Sequence, residues 1–171
     1  VPLEGISALC AEQGVAIVED AAQAFGAWRR VENRIARAGA VGDVGCYSFF
    51  PTKNLGGCGD GGMVVTRDAE RAERLRRLRV HGEERTYFHE EVGLNSRLDA
   101  LQAAVLDVKL PHLERWNADR RLCADRYRLL FESRGLTDRV TLPEELAGNH
   151  HIYHQYVVRV PDRDRLMAHL D

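Results

Sequence analysis

One lysine in this chain stands where a reactive amine could be held. Lys53 follows the Pro51 turn and precedes the run Gly56-Gly57-Cys58-Gly59-Asp60-Gly61-Gly62. Glycines let a backbone turn tightly and come close to a ligand. The flanking apolar segments, Val44 to Phe50 and Met63 to Thr66, read as short strands. A lysine held at strand ends can lose solvation and act as a nucleophile toward carbonyl carbon. Ser48 lies just upstream of it. Taken alone, the segment favours a surface lysine in a glycine-rich hairpin; its surroundings shift that balance.

The second group is an acid. Val15-Ala16-Ile17-Val18 is a continuous apolar run, as in a buried parallel strand, and it ends in Glu19-Asp20. In open α/β sheets the carboxyl edge is where ligands bind. Asp20 could merely cap a turn, or it could present a fixed charge to a cationic ring nitrogen. A strand-end carboxylate beside a strand-end lysine is what pyridoxal phosphate requires. The lysine forms a Schiff base, and the carboxylate keeps the pyridine nitrogen protonated. Ser48 and Asn95 could then hold the phosphate, and Gln23 lies three residues beyond Asp20.

Other chemistries fit less well. His150, His151 and His154 are close in sequence, but adjacent residues on a strand face opposite ways. No acid or thiol completes a zinc set with them, so no metal site is expected. The glycine run lacks the Gly-Lys-Ser/Thr of a phosphate-binding P-loop. Ser48 lacks the Gly-x-Ser-x-Gly elbow of a hydrolase. Cys58 reads as small-residue packing rather than a reactive thiol.

These residues need elements to place them. Leu3, Ile6, Leu9 and Cys10 mark one face of a short helix stopped by Gly14. Trp28 to Ala38, rich in arginine, reads as an exposed loop. Asp68 caps a helix through Leu78, with Leu75 and Leu78 inward. Val80 to Gly93 lacks periodicity and reads as a long loop. Ser96 to Asp99 resembles a capping box, which places Asn95 before a helix N-terminus, a natural anion site. That helix turns Leu98, Leu101, Val105 and Val108 inward until Pro111 breaks it. A longer one follows from Leu113 to Arg134, with Trp116, Cys123, Tyr127, Leu130 and Phe131 inward. His151 to Val160 alternates like a strand, and a last helix opens near Asp162.

With 171 residues, 44% hydrophobic and 29% charged, the composition is that of a globular chain able to fill a core. A net charge of -2 gives no reason to expect nucleic acid or an anionic membrane as partner. There is no bilayer-length apolar run and no signal-peptide pattern. The four scattered cysteines fit reduced thiols, so a cytoplasmic location is expected. The chain opens without Met in a helical pattern and stops at Asp171 within another, which predicts a piece of a longer protein.

Four stretches together resemble the DegT-type sugar-nucleotide aminotransferases of the aspartate-aminotransferase (fold type I) superfamily. They are Val18 to Ala27, Gly42 to Leu55, Gly59 to Thr66, and Gly93 to Asp99 with Gln102-Ala103-Ala104. The resemblance implies an α/β fold: part of the large pyridoxal-phosphate domain, a mixed, mostly parallel sheet with flanking helices, over residues 1–112. Residues 113–171 would be the linking helix and the start of a small α+β domain. It implies Lys53 as the Schiff-base lysine, Asp20 on the pyridine nitrogen, Gln23 near the phenolic oxygen and Ser48 on the phosphate. Asn95 would reach the phosphate of a neighbouring subunit, hence a homodimer, and Arg97 would help to shape the site. Asp60 stands where many members have Glu. The implied activity is amination of a keto-sugar nucleotide, with glutamate as donor, in amino-sugar biosynthesis. The Asn54-Leu55-Gly56 and Asn95-to-Asp99 runs lean toward amination at C3. Family chains are about twice this long, and their other half supplies further phosphate contacts and an aromatic that stacks on the ring. Two rivals stand beside this reading: a non-catalytic or regulatory relative, and a sugar dehydratase, in which His replaces the lysine.

Overall fold

The computed structural model describes residues 3–171. Helix α1 (Leu3–Gln13) ends as predicted at Gly14, whose φ of 64° suits a residue without Cβ. Strand β1 (Val18–Asp20) pairs in parallel with β4 (Val44–Ser48), which pairs antiparallel with β5 (Gly62–Val65). The order is β1-β4-β5, so the two strands predicted around Lys53 form a hairpin. The burial predicted for the first strand does not hold: Val15 and Val18 are exposed, and β1 lies at the edge of its sheet among the described residues. Ile6 and Leu9 on α1 are exposed as well.

The arginine-rich segment is a hairpin rather than a loop. Strands β2 (Trp28–Val31) and β3 (Arg34–Arg37) pair around a turn in which Glu32 takes φ 51°. A second sheet, β3-β2-β8, is closed by β8 (Asn149–His150), and Trp28 stacks on His150 at 4.8 Å with rings 1° from parallel. The alternating run after His150 forms no strand. Ile152 and Tyr153 are buried, and only a single bridge, Thr141 to Arg159, remains ladder-like.

Helix α2 (Ala69–Leu78) starts where Asp68 accepts the Arg71 N–H at 2.9 Å, as its capping residue predicted. The stretch expected to be a long loop contains the ribbon β6 (Glu83–Arg85) and β7 (Phe88–His89). Helix α3 (Ala100–Lys109) begins after Asp99 rather than at Ser96. Ser96 donates its N–H to Arg79 O and Asn95 bridges to Val80, so extended pairing overrides the capping pattern. Leu101 and Val108, expected inward, are exposed, and Leu106 is the buried position.

Pro111 does not break the helical path. It sits in a 3-10 turn (Leu110–His112) leading directly into α4 (Leu113–Ser133). The inward stripe of α4 is Leu113, Asn117 and Ala124, whereas Tyr127, Leu130 and Cys123 are exposed. Helix α5 (Arg163–Leu170) closes the chain. The core is small: Phe49, Leu55, Leu106 and Leu113, with Phe25 and Leu98 packed against it. It lies beneath the segment that carries Lys53.

Candidate active site

The Lys53 loop is closed by its own backbone. Phe49 N–H donates to Gly61 O at 2.7 Å and Gly57 N–H donates to Phe49 O at 2.8 Å. Lys53 N–H completes a turn to Phe50 O at 2.9 Å. A Cβ on Gly56 would lie 2.4 Å from Pro51 O, so only glycine permits this closure. Helix α3 braces the loop from outside: Gln102 Oε1 accepts the Cys58 N–H at 2.7 Å, and Lys109 Nζ donates to Gly56 O. Asn54, Leu55, Gly56 and Gly57 are buried while Lys53 is half-buried. Among the described residues, Lys53 makes no ion pair and no side-chain hydrogen bond, so its amine is uncommitted.

Asp20 and Ser48 are set by strand register. Asp20 stands opposite Cys46 in the parallel pair, and Ser48 lies two residues further along β4. Side chains alternate with period two, so Asp20, Cys46 and Ser48 share one face at the carboxyl end of the pair. Strand spacing and rise put the Asp20 and Ser48 Cα atoms about 8 Å apart. Asp20 Oδ1 accepts the Ala22 N–H at 3.0 Å, which leaves Oδ2 for another partner. Ser48 Oγ accepts the Phe50 N–H at 3.2 Å, which leaves its hydroxyl hydrogen free to donate.

On the other face of β1, Glu19 accepts the N–H groups of Gly39 at 2.9 Å and of Val41 and Gly42 at 2.6 Å each. Tyr47 Oη donates to Ala38 O at 2.6 Å. Burial and the Glu19 charge push the Tyr47 phenol up, against a smaller downward pull from Arg37. These contacts hold β1 and β4 in the register that puts Asp20 opposite Cys46.

Gln23 lies in the exposed turn after β1. Asn95 is exposed beside Val80, five residues before α3, and its Oδ1 accepts the Arg97 Nε–H at 3.3 Å. It is therefore not at the helix N-terminus expected for it, and no hydrogen bond among the described residues joins it to Asp20, Ser48 or Lys53. An open cavity of about 570 Å³ lies elsewhere, between α1 and the start of α2, and its lining includes none of these groups.

Sequence reasoning passed over a polar cluster beside the lysine. Asn54 Nδ2 donates to Asn117 Oδ1 at 2.6 Å and to Ile152 O at 3.3 Å, and Asn54 Oδ1 meets His154 Nδ1 at 3.1 Å. Burial, then the positive charges of Lys53 and Arg120, push the His154 imidazole down. The available signal was an asparagine interrupting the apolar stripe of α4. The donor set as a whole fits pyridoxal phosphate: an uncommitted primary amine, a carboxylate with a spare oxygen and a strand-end hydroxyl.

The fold is that of the pyridoxal-phosphate aminotransferases. The chain resembles the crystal structure of DesV from S. venezuelae in complex with a ketimine intermediate, with a TM-score of 0.90 and 43% identity, covering 100% of this chain and 44% of that one. It is 49% identical over 169 residues to a Geobacillus stearothermophilus protein named a pleiotropic regulatory protein (98% of this chain, 44% of that protein). It is 45% identical over 168 residues to the UDP-N-acetyl-3-dehydro-alpha-D-glucosamine 3-aminotransferase of Acidithiobacillus ferrooxidans (98% and 43%). Residues 1–171 match the family model, and the chain belongs to the DegT/DnrJ/EryC1/StrS aminotransferase family. It spans less than half the length of these relatives.

Proposed function

We propose that this chain carries the lysine-bearing part of a pyridoxal-phosphate aminotransferase that transfers an amino group from glutamate to a keto-sugar nucleotide at C3. The observation that supports it most is the shared face of Asp20 and Ser48 at the ends of adjacent parallel strands, with the closed Lys53 loop following directly. The Acidithiobacillus relative's name supports the substrate class and the ring carbon.

Bound pyridoxal phosphate supplies an electron sink that lets a proton leave the carbon bearing the donor amine. Lys53 Nζ would hold the cofactor, and the same amine would take the proton from the donor Cα. Positioned proton transfer of this kind contributes roughly 10²–10⁴-fold. The Asp20 carboxylate, with Oδ2 unused, would face the ring nitrogen and favour its charged form. The Ser48 hydroxyl would donate to the phosphate, Gln23 would serve the phenolic oxygen, and Asn95 would serve the phosphate of a neighbouring copy in a homodimer. Residues 1–112 act as the cofactor-binding part and 113–171 as the link to a smaller domain. No helix among the described residues is long and apolar enough to cross a membrane, and we place the reaction in the cytoplasm.

Borohydride reduction of the full-length protein loaded with pyridoxal phosphate tests this reading. The cofactor becomes fixed to Lys53 by mass, and Lys53→Ala abolishes turnover. Retained turnover in that variant refutes the mechanism. The name of the Geobacillus relative favours one second reading, a regulatory protein on the same scaffold. A protein that takes up no cofactor at Lys53 supports it.

A further inference from the structure

Among the described residues, the buried polar side chains are Asn54, 8% exposed, and Asn117, 4% exposed. A buried amide is costly unless its donors and acceptors are met. Here they are met by one another and by two separate segments, the turn at Phe25 and the 152–154 strip. Asn54 Nδ2 donates to Asn117 Oδ1 and to Ile152 O, and Asn117 Nδ2 donates to Phe25 O at 3.3 Å. Room for Asn117 is made by Gly26, whose φ is 99° and whose Cβ would fall 2.5 Å from Asn117 Nδ2. The direction of the relay follows from these partners. Both Asn54 N–H groups face oxygens, so Asn54 Oδ1 is an acceptor, and the His154 nitrogen 3.1 Å away must carry a hydrogen. The neutral imidazole is thereby fixed as the Nδ1–H tautomer, with Nε2 bare. Arg120 fastens the same strip of chain by donating to Tyr153 O and His154 O at 3.2 and 3.3 Å.

We propose that Asn117 and His154, acting through Asn54, are positioning residues for Lys53. Asn54 is bonded directly to Lys53, and its side chain is tied at three points to α4 and to the 152–154 strip. The lysine is therefore placed by the carboxyl part of the chain as well as by its own loop. Displacing a reacting group by about 1 Å can cost on the order of 10²-fold in rate. This inference rests on the aminotransferase reading of Lys53.

The test uses the full-length protein. In the cofactor-free form, nitrogen NMR of the labelled imidazoles is expected to show His154 as the Nδ1–H tautomer, and Asn117→Ala is expected to mix its tautomers. In the loaded form, His154→Phe is expected to lower the rate constant of the half-reaction with glutamate at least tenfold, with half-saturation within about threefold of the unmutated value. His154→Asn, which restores an N–H where Nδ1 stood, is expected to recover that rate. The His154 pair carries the test if Asn117→Ala does not fold. A His154 resonance showing the Nε2–H tautomer, an unchanged rate in His154→Phe, or equal losses in the two His154 variants overturns the inference. Borohydride labelling of Lys53 in the unmutated protein separates the two levels. With that label present, such a result removes this inference alone; without it, the aminotransferase reading and this inference both fall.

Discussion

Glu19 offers the sharpest test of how this site is built. Its carboxylate takes three backbone N–H groups, from Gly39, Val41 and Gly42, and so clamps the segment leading into β4 to the strand that ends in Asp20. Hydrogen bonds to a charged group contribute about 1.5–3 kcal/mol each when fully buried. Glu19 is half-buried, and amides freed by its loss regain water, so about 1 kcal/mol per bond is the appropriate scale. Glu19→Ala should thus weaken the clamp by about 3 kcal/mol, roughly 150-fold in local opening at about 1.4 kcal/mol per tenfold. Glu19→Gln retains an acceptor for Val41 and Gly42 but turns an NH₂ toward the Gly39 N–H, so about half that loss is expected. Hydrogen exchange over residues 38–43 of the full-length protein reads this directly, with no need for two-state unfolding. Exchange in Glu19→Ala within about threefold of the unmutated protein would refute the clamp. So would a Gln variant as loose as the Ala one.

Two further outcomes follow from packing and charge. Leu106→Ala, which opens a cavity against Phe49, Leu55 and Leu113, should cost about 2–5 kcal/mol and raise exchange in the Lys53 loop; unaltered exchange across 49–57 would contradict the shared core. The 145–154 strip should loosen as pH falls. Burial alone would push Glu145 up, but hydrogen bonds from Arg121 and the His151 N–H, with the Arg121 charge, hold it below the usual carboxylate range. Burial, and the Arg121 charge, push His150 and His151 down. Groups whose folded values lie below their unfolded ones contribute stability above the unfolded value and lose it as pH drops through the folded one. The histidine share should therefore begin to fade below about pH 6.5 and the Glu145 share below about pH 4.5. Exchange in 149–154 that stays flat from pH 7 to 4, after correction for the intrinsic rate, would exclude this coupling.

What could be read from the sequence was whatever a few neighbouring residues decide. Asp68 caps α2 with its own carboxylate, and the glycines after Lys53 mark a loop because no other residue fits beside Pro51 O. Hairpin β2–β3 was missed because its arginines hid the alternation, and its pairing with β8 spans more than a hundred residues. The start of α3 was misplaced because Val80, far upstream, pairs with Asn95 and draws that segment into extended geometry. The inward face of α4 follows from what it meets. Asn117 faces inward to answer Asn54 and Phe25 O, which turns the larger Tyr127 outward. The lysine and the acid were therefore legible, and the relay that ties the lysine to α4 was not.

The stack of Trp28 on His150 gives the molecule an optical gauge of its own. The indole lies flat on an imidazole from the far end of the chain, so its emission depends on whether those two ends stay together and on the charge of the ring beneath it. The other tryptophan, Trp116, leans on the nearby His112 at 5.6 Å and 31° and moves with its own helix. Light from the first, compared with light from the second, distinguishes separation of β2 from β8 from a general softening, with no label added.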